Sequence, residues 1–442
     1  MAHTTFHIVT LGCKVNQYES QSLREAWLDR GMTEAPFAAG AAVVVVNSCA
    51  VTQKAVADVR AHIRRLHREA PEARIVVTGC AAATVGDSLA NLPGVVGLVG
   101  RKGKASLLAH ADTWLPPAAT APDKAPYPPF AIRGYTRSRA VLKIQDGCSH
   151  CCTYCIVPQA RGPARTRPLH ESLDEAGRLL HAGFGEIVIS GINLRQYGNK
   201  GHSFWDFVQA LEERFAPDFA GRARFRISSL EPGQLDDHAL LVLGKSRLIA
   251  PHLHLSLQSG SPVVLERMGR GHYAPQAITD WLAALQDIWP LYGLGADLIS
   301  GFPGETPAEH DQTLALVQAL PLTYAHVFPY SRRPGTPAAT MPDQVADPQK
   351  KARAASLRAI ASSRKEAFLR QQAALPRLLV ALEQDKGRAI HTGVSEYYGD
   401  CEFIGPLPAG LLSGHGATLV PARPLGLARG KILVEALPKE VA

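Results

Sequence analysis

Apolar runs alternate with amphipathic stretches along the first hundred residues of the chain. Four runs have the continuous apolar character of strands that are buried on both faces: "FHIVTLGC", "AAVVVVNSC", "ARIVVTGC" and "GVVGLVG". The stretches "QYESQSLREAWLDRG" and "VTQKAVADVRAHIRRLHREA" between them have helical character. Strands that alternate with helices in this way form parallel sheets. The pattern therefore predicts an α/β domain with a parallel sheet over residues 1–112.

The same alternation resumes after a proline-rich stretch. "WLPPAATAPDKAPYPPF" contains too many prolines for regular structure and predicts a linker over residues 113–133. Six further strands are predicted within residues 134–370: "AVLKIQD", "EIVISG", "RFRISSL", "HLHLSLQ", "LGADLIS" and "YAHVFPY". Six strand–helix steps are fewer than the eight that close a barrel. We therefore expect an open six-unit (β/α) barrel.

The last part of the chain changes character. A long basic helix is predicted from about Pro348 to Gln372, and short β-type runs broken by glycine and proline follow it. Such runs are typical of a small β-barrel, which we place at residues 371–442. The fold class predicted for the chain is thus α/β, with three domains, in agreement with its length of 442 residues.

Charge and composition narrow the possible functions. The chain has 47 lysines and arginines against 39 acidic residues, a net charge of +8 that permits an acidic partner such as RNA. It contains no apolar run long enough to cross a bilayer and no recognisable secretion signal, so we expect a cytoplasmic protein with no membrane partner. Eight cysteines in such a chain favour metal or redox chemistry over a disulfide framework.

Four of these cysteines lie in the stretch "DGCSHCCTYC", residues 146–155. One interpretation is a zinc site, but zinc ribbons separate their two cysteine pairs by roughly 15–20 residues, and Cys151 and Cys152 are adjacent. The other interpretation uses Cys148, Cys152 and Cys155, whose three thiolates would hold a 4Fe–4S cluster with one open iron. We favour the second, and expect Cys151 to be a small buried hydrophobic residue.

Three more cysteines follow three of the predicted strands. Cys13, Cys49 and Cys80 end the runs "VTLGC", "VVVNSC" and "VVTGC". Because the carboxyl ends of parallel strands meet at one edge of a sheet, the three thiols should converge there. The alternative is three unrelated core cysteines. We favour convergence, and therefore a second three-cysteine iron–sulfur site.

The motif C-x-x-x-C-x-aromatic-C after the first barrel strand resembles the radical S-adenosylmethionine superfamily. The stretches "LGCKVNQYES", "NSCAVT", "TGCAA", "SLEPGQ", "DLISGFPGET" and "HVFPYSRRPGTPAATM" are similar to those of the methylthiotransferases within it. This resemblance covers nearly the whole chain, including the C-terminal barrel, which corresponds to a TRAM domain. The alternatives are a cobalamin-dependent radical methyltransferase, whose D-x-H-x-x-G motif does not precede the barrel, and a non-catalytic RNA-binding protein with structural zinc.

The resemblance implies two 4Fe–4S clusters and S-adenosylmethionine as cofactors. The cluster on Cys148, Cys152 and Cys155 would cleave S-adenosylmethionine and so generate the radical that removes hydrogen from the substrate. The other cluster, on the three strand-end cysteines, would carry the sulfur that is methylated and inserted. An electron donor and a sulfur source are implied as further partners.

The resemblance also implies a substrate. "LGCKVNQYES" with "AVT" after Cys49 is similar to the branch that modifies carbon 2 of N6-threonylcarbamoyladenosine at position 37, in the anticodon stem-loop of tRNA. Two other branches act on N6-isopentenyladenosine in tRNA and on a ribosomal protein. A threonylcarbamoyl group carries a carboxylate, and arginine is the usual donor for that group. Arg332 and Arg333 are the candidates for this contact.

Further site residues are expected at the ends of the barrel strands and in basic stretches. The candidates for binding S-adenosylmethionine are Ser190, Gly191, Asn193, Ser229, Gln258, Ser259, Arg270 and Gly301. The candidates for binding RNA are Arg161, Arg165, Arg167, Arg332 and Arg333.

Overall fold

The computed structural model describes residues 4–100, 103–104, 106–109, 127, 130–198, 201–383, 390–407 and 418–438. The N-terminal part is a parallel sheet of five strands in the order β2-β1-β3-β4-β5. The strands are β1 (Thr5–Thr10), β2 (Thr33–Glu34), β3 (Val43–Ser48), β4 (Arg74–Gly79) and β5 (Val95–Val99). The helices are α1 (Lys14–Leu28), α2 (Gln53–Glu69), α3 (Cys80–Thr84), α4 (Gly86–Ala90) and α5 (Ser106–Ala109). All four predicted strands are confirmed, whereas β2, with two residues, is too short to give a sequence pattern.

The packing of α2 shows why this part folds as predicted. Its residues Val56, Val59, Ile63 and Leu66 recur at helical spacing and are buried in one hydrophobic cluster with the strands. The side chain of Thr52 accepts a hydrogen bond from the backbone N–H of Ala55 and so caps the start of the helix.

The six predicted barrel strands are also confirmed. They form a three-stranded sheet, β10-β9-β6, and a four-stranded sheet, β11-β12-β13-β14, while β7 and β8 pair with each other. The strands are β6 (Ala140–Lys143), β7 (Gln145–Asp146), β8 (Arg165–Thr166), β9 (Glu186–Ser190), β10 (Arg224–Ile227), β11 (Ser229–Leu230), β12 (His252–Gln258), β13 (Gly293–Ser300) and β14 (Tyr324–Pro329). The helices are α6 (Val157–Arg161), α7 (Leu169–His181), α8 (Phe204–Phe219), α9 (Asp237–Lys245), α10 (Pro262–Arg267), α11 (Pro275–Ile288) and α12 (Pro307–Ala319).

The C-terminal part matches the prediction of a long helix and a small barrel. The helix α13 (Asp347–Ala373) precedes a closed five-stranded barrel with the strand order β15-β16-β17-β19-β18. Its strands are β15 (Leu378–Glu383), β16 (Thr392–Val394), β17 (Asp400–Phe403), β18 (Leu419–Ala428) and β19 (Lys431–Ala436). Alternate apolar residues of these strands fill the barrel interior.

The chain forms two compact units whose boundaries differ from the predicted domains. The first unit comprises Met1–Arg133, Lys143–Arg167 and Ser331–Ala339, and the second comprises Gly134–Leu142, Pro168–Tyr330 and Thr340–Ala442. The cysteine loop after β6 therefore belongs to the N-terminal unit, and the C-terminal barrel belongs to the unit that holds most barrel strands. Most of the predicted linker, residues 113–133, lies outside the described residues.

Among the helices that the structure describes, none is long and apolar enough to cross a membrane.

Candidate active site

The first unit brings Cys13, Cys49 and Cys80 together at one edge of its sheet. Strand register pairs Ser48 with Gly79, so the cysteines that follow β3 and β4 lie level with each other. Burial raises the pKa of Cys49, and the neighbouring thiols of Cys13 and Cys80 raise it further. Cys13 and Cys80 therefore both lie close enough to Cys49 to act on its charge, as the strand-end argument predicts.

Two glycines make this approach possible. Gly12 and Gly79 have φ values of +102° and +90°, in the region that favours glycine. A Cβ atom on Gly12 would lie 2.6 Å from the Cβ of Cys49, and one on Gly79 would lie 2.4 Å from the carbonyl oxygen of Ser48. The glycines in "LGC" and "TGC" therefore allow the neighbouring strand end to pack closely, because any side chain at these positions would clash with it.

A buried network of charges lies next to the three thiols. Arg161 donates to Glu19 and to Asp146, at 2.9 Å each, and Lys143 donates to the same two carboxylates, at 2.8 Å each. Lys104 also donates to Glu19. Burial alone would raise the pKa of Glu19, but the three cations outweigh it and hold that pKa well below its ordinary value. Three cations against two carboxylates leave this network with one net positive charge.

Arg161 connects the network to the cysteines. Burial would lower its pKa, but Glu19, Cys80 and other anionic neighbours outweigh this effect and hold the pKa well above its ordinary value. The guanidinium of Arg161 also donates to the side chain of Asn16 at 2.6 Å, and Asn16 donates in turn to the carbonyl oxygen of Ser48 at 3.0 Å. Through Asn16, Arg161 thus connects the segment after Cys13 with the segment before Cys49.

The second set of cysteines lies in the loop between β7 and α6. Cys148, Cys152 and Cys155 are half-buried, and the backbone N–H of Cys155 donates to the carbonyl oxygen of Cys152 at 3.0 Å. Gly147 has a φ of +72°, and a Cβ there would lie 2.0 Å from the carbonyl oxygen of Pro163. The loop is thus closed tightly onto the segment that follows α6.

Cys151 differs from the other three cysteines because its side chain is exposed. The expectation that it is a buried hydrophobic residue is therefore wrong. The loop has neither helical nor strand periodicity, so its sequence carries no signal of which side chains face solvent.

Residues 331–339, which we name the bridging segment, lie against both cysteine loops of the first unit. The side chain of Ser331 accepts a hydrogen bond from the backbone N–H of Gln53 at 3.2 Å. The backbone N–H of Ala338 donates to the carbonyl oxygen of Thr153 at 2.8 Å. These contacts explain why a segment after the last barrel strand belongs to the N-terminal unit.

The structure corrects the expected RNA contacts of three arginines. Arg161, Arg167 and Arg333 are buried, with 6%, 2% and 4% of their surface exposed, and so do not lie on the outer surface that an RNA stem would contact. Arg161 belongs to the ion network described above, and Arg167 donates to the hydroxyl of Tyr18 at 3.2 Å. Arg165, half-buried, and Arg332, exposed, remain the candidates from this set.

Most candidates for binding S-adenosylmethionine lie at the carboxyl ends of strands in the second unit. Ser190 ends β9, Ser229 starts the short β11 and Gln258 ends β12, with Gly191 and Gly301 immediately after β9 and β13. Parallel strands place ligands at this edge. The location thus agrees with a cofactor-binding role without identifying the contacts.

Three other candidates are engaged within the unit. Asn193 caps a short 3-10 helix through its side chain, which accepts from the backbone N–H of Arg195 at 3.1 Å. Ser259 is buried and its hydroxyl accepts from the backbone N–H of Ser261 at 3.1 Å. The backbone N–H of Gly301 donates to the carboxylate of Glu305 at 3.1 Å. Local hydrogen bonds account for these residues.

Arg270 has a different partner from the expected methionyl carboxylate. Its guanidinium lies 2.8 Å from the carboxylate of Glu231 and donates to the carbonyl oxygen of Ser256 at 2.8 Å. Glu231 therefore pairs with the Arg270 guanidinium, which we expected to bind the carboxylate of S-adenosylmethionine. Our prediction missed Glu231, although it lies in the quoted stretch "SLEPGQ".

The ion network was also missed. The signal for it was a lysine and an aspartate, Lys143 and Asp146, within the otherwise apolar run "AVLKIQD". Charged residues are rarely buried in a strand unless they are paired, so this pattern indicates a buried partner without naming it.

Comparisons with known proteins identify the family. Residues 142–317 match the model of the Radical SAM superfamily, and residues 5–100 match a family described as uncharacterized protein family UPF0004. The threonylcarbamoyladenosine tRNA methylthiotransferase MtaB of Bacillus subtilis is 38% identical over 78% of this chain and 77% of its own length. The protein of the same name from Thermotoga maritima is 34% identical over 91% of this chain and 92% of its own length.

The chain belongs to the radical SAM methylthiotransferase family. A relative that is named for another substrate, the tRNA-2-methylthio-N(6)-dimethylallyladenosine synthase of Erythrobacter litoralis, is 34% identical over 77% of this chain and 78% of its own length. Methylthiotransferases use S-adenosylmethionine and two 4Fe–4S clusters. The two sets of three cysteines in the first unit fit this pair of clusters, because thiolates are the ligands that such clusters take.

A solved structure supports the fold of this methylthiotransferase. The radical S-adenosylmethionine methyltransferase TsrM from Kitasatospora setae, with cobalamin and a [4Fe-4S] cluster bound, has a TM-score of 0.57 and 16% sequence identity. The match covers 76% of this chain and 77% of that chain. At this identity the likeness concerns the fold alone.

Proposed function

We propose that the protein transfers a methylthio group to carbon 2 of N6-threonylcarbamoyladenosine at position 37 of tRNA. The observation that carries the proposal is the convergence of Cys13, Cys49 and Cys80 in the same unit as the C-x-x-x-C-x-x-C loop. Five relatives at 31–38% identity are named for threonylcarbamoyladenosine in tRNA, which favours this substrate.

The two cysteine sets have separate roles in this proposal. Cys148, Cys152 and Cys155 hold the cluster at which S-adenosylmethionine binds, and the three strand-end cysteines hold the auxiliary cluster. When bound, these groups supply the one-electron cleavage of S-adenosylmethionine and the sulfur for transfer. An electron donor and a sulfur source are required partners, and the cytoplasm, where tRNA is modified, is the proposed location.

The residues of the chain then position these groups. Arg161 holds the two cysteine loops in a fixed arrangement through Glu19, Asp146 and Asn16. Its charge lies beside thiolates, which it stabilises in their anionic, ligating form. In the second unit, the strand ends that carry Ser190, Gly191, Asn193, Ser229, Gln258, Ser259, Arg270 and Gly301 provide the proposed surface for S-adenosylmethionine.

The substrate is tested with synthetic anticodon stem-loops that carry either threonylcarbamoyladenosine or isopentenyladenosine. We expect the reconstituted protein to methylthiolate the first and not the second, measured by mass analysis of the nucleosides. Three relatives named for dimethylallyladenosine, at 32–34% identity, make the second a specific alternative. Turnover of only the prenylated stem-loop would reject the substrate while leaving the reaction class intact.

The roles of the cysteines are tested by iron content. Replacement of Cys13, Cys49 and Cys80 by alanine should lower the iron from about eight to about four per chain, because each cluster holds four. Cleavage of S-adenosylmethionine should continue and methylthiolation should stop. Cys401→Ala is the matched control, since Cys401 is buried in the core of the C-terminal barrel. Methylthiolation by the triple variant would exclude the auxiliary cluster.

A further inference from the structure

The bridging segment, residues 331–339, connects the two cysteine loops of the first unit. At one end it contacts Gln53, which lies four residues after Cys49. At the other end it contacts Thr153, which directly follows Cys152. A side chain of this segment that is buried in the first unit therefore lies between the two loops that we propose to hold the clusters.

Arg333 is such a side chain. It is only 4% exposed, and its buried Nε–H group has no hydrogen-bond partner among the residues that the structure describes. The backbone around it is fixed, because the N–H and hydroxyl of Thr336 both donate to the Arg333 carbonyl oxygen, at 3.1 and 2.7 Å. Burial lowers the pKa of Arg333, and the thiol of Cys49 opposes that shift. The hydrogen bond between Ser331, two residues before Arg333, and Gln53, four residues after Cys49, places Arg333 near the Cys49 loop.

Arg333 differs from Arg161 in the partners of its guanidinium. Arg161 is equally buried, but its charge is balanced by Glu19 and Asp146 and its donors are used. Within the described residues, no carboxylate forms an ion pair with Arg333. An arginine remains charged at any physiological pH, and a buried charge without a hydrogen-bonded counter-ion is unfavourable. A ligand that brings a negative charge would remove this penalty.

We propose that Arg333 receives a small anion beside Cys49 during the reaction. This inference rests on the proposed function, which offers two sources of such an anion. One is the carboxylate of the threonylcarbamoyl group, and the other is hydrosulfide or a thiolate that supplies the transferred sulfur. Both would accept hydrogen bonds from the guanidinium. Arg333 is thus a substrate-positioning residue at the auxiliary site.

The test uses the full chain with both clusters and the variants Arg333→Gln and Arg333→Lys. Arg30→Gln is the matched control: it removes one charge from the first unit, but Arg30 is exposed and its guanidinium already donates to the carbonyl oxygen of Ala26 at 2.8 Å. Iron content establishes that each variant holds both clusters. The first measurement is the affinity for methanethiolate, from the change in the electron paramagnetic resonance spectrum of the auxiliary cluster. The second is the KM ratio between a threonylcarbamoyl stem-loop and its methyl ester.

We expect one of two results for Arg333→Gln. A loss of methanethiolate affinity of about 10- to 100-fold, with an unchanged ester ratio, would assign the sulfur species as the anion. The other result is that the affinity for methanethiolate stays unchanged while the KM ratio between the threonylcarbamoyl stem-loop and its methyl ester moves from its wild-type value towards one. This result would identify the threonylcarbamoyl carboxylate as the anion. Arg333→Lys should keep part of either effect, because it retains the charge with fewer donors. Arg30→Gln should change neither quantity.

Two outcomes would overturn the inference. The first is unchanged values of both quantities in Arg333→Gln chains that hold about eight irons. The second is loss of iron from both Arg333 variants, which would assign the residue to cluster retention instead. Failure of the proposed substrate is a separate result: the wild-type protein would then reject the threonylcarbamoyl stem-loop and its ester alike, while the methanethiolate titration would still report on Arg333.

Discussion

Substitution of Gly12 by alanine should remove the auxiliary cluster without unfolding the chain. Gly12 lies between β1 and Cys13 and has a φ of +102°. The new Cβ would lie 2.6 Å from the Cβ of Cys49 and 3.1 Å from its Sγ, whereas carbon atoms pack best at about 3.5–4.0 Å. The loop of Cys13 or the side chain of Cys49 must therefore move, and both belong to the proposed ligand set.

The magnitude follows from two contributions. A positive φ costs alanine about 1–2 kcal/mol relative to glycine. Overpacking against the half-buried Cys49 costs at most a further 1–3 kcal/mol or so. Their sum, about 2–5 kcal/mol, is less than the 5–15 kcal/mol or so that stabilises a typical domain. The fold should survive, and the strain should act on the geometry of the three thiols.

Gly31→Ala provides the matched control. Gly31 also has a positive φ, +79°, but apart from its two chain neighbours no heavy atom of the described residues lies within 4 Å of the position of its Cβ. This variant therefore has the conformational cost without the clash. Iron analysis should give about four irons per chain for Gly12→Ala and about eight for Gly31→Ala, with S-adenosylmethionine cleavage retained in both. Eight irons and normal methylthiolation in Gly12→Ala would refute the packing argument.

Three further predictions concern other parts of the chain. Cys151→Ala should keep its iron and its cleavage of S-adenosylmethionine, whereas Cys152→Ala should lose both; the reverse result would reject our assignment of the loop ligands. Glu186→Gln should lower the free energy of unfolding by about 3–5 kcal/mol, since it leaves two buried arginines without their carboxylate. Burial would raise the pKa of Glu186, but its arginine partners hold that pKa well below the ordinary value. Its stabilisation is therefore present above the unfolded pKa of about 4.3 and is lost as the pH falls towards the folded value. An acid-unfolding curve unaltered by the substitution would contradict this. Charge reversal at the exposed Arg64 and Arg68 of α2 should reduce the salt dependence of tRNA binding by about one unit of slope per lost phosphate contact, and an unchanged slope would place the RNA elsewhere.

The sequence predicted the strands and the convergence of three cysteines for a common physical reason. A parallel strand buried on both faces must be continuously apolar, and its carboxyl end must lie beside those of its neighbours. The runs before Cys13, Cys49 and Cys80 meet the first condition, and the structure places the three thiols together. The roles of these residues as cluster ligands stay a prediction.

The direction of charged side chains could not be predicted. The stretch "RGPARTR" contains three arginines, but nothing in it shows where their side chains point, and Arg161 pairs with Glu19 at a separation of 142 residues. Such a pairing leaves no local periodic pattern in either segment. For the same reason the bridging segment, which follows the last barrel strand in sequence, was assigned to the wrong compact unit.

The three-part composition of the first unit has a consequence for biosynthesis. Ala339, the last residue of its final piece, is synthesised 184 residues after Cys155, the last cysteine of the second set. At about 5–20 residues per second, the ribosome needs roughly 9–37 seconds to cover that distance. During this interval the nascent chain carries both sets of cysteines without the segment that bridges them. Iron delivered before the bridging segment has been synthesised would bind to an incomplete site. Cluster insertion should therefore follow the synthesis of most of the chain.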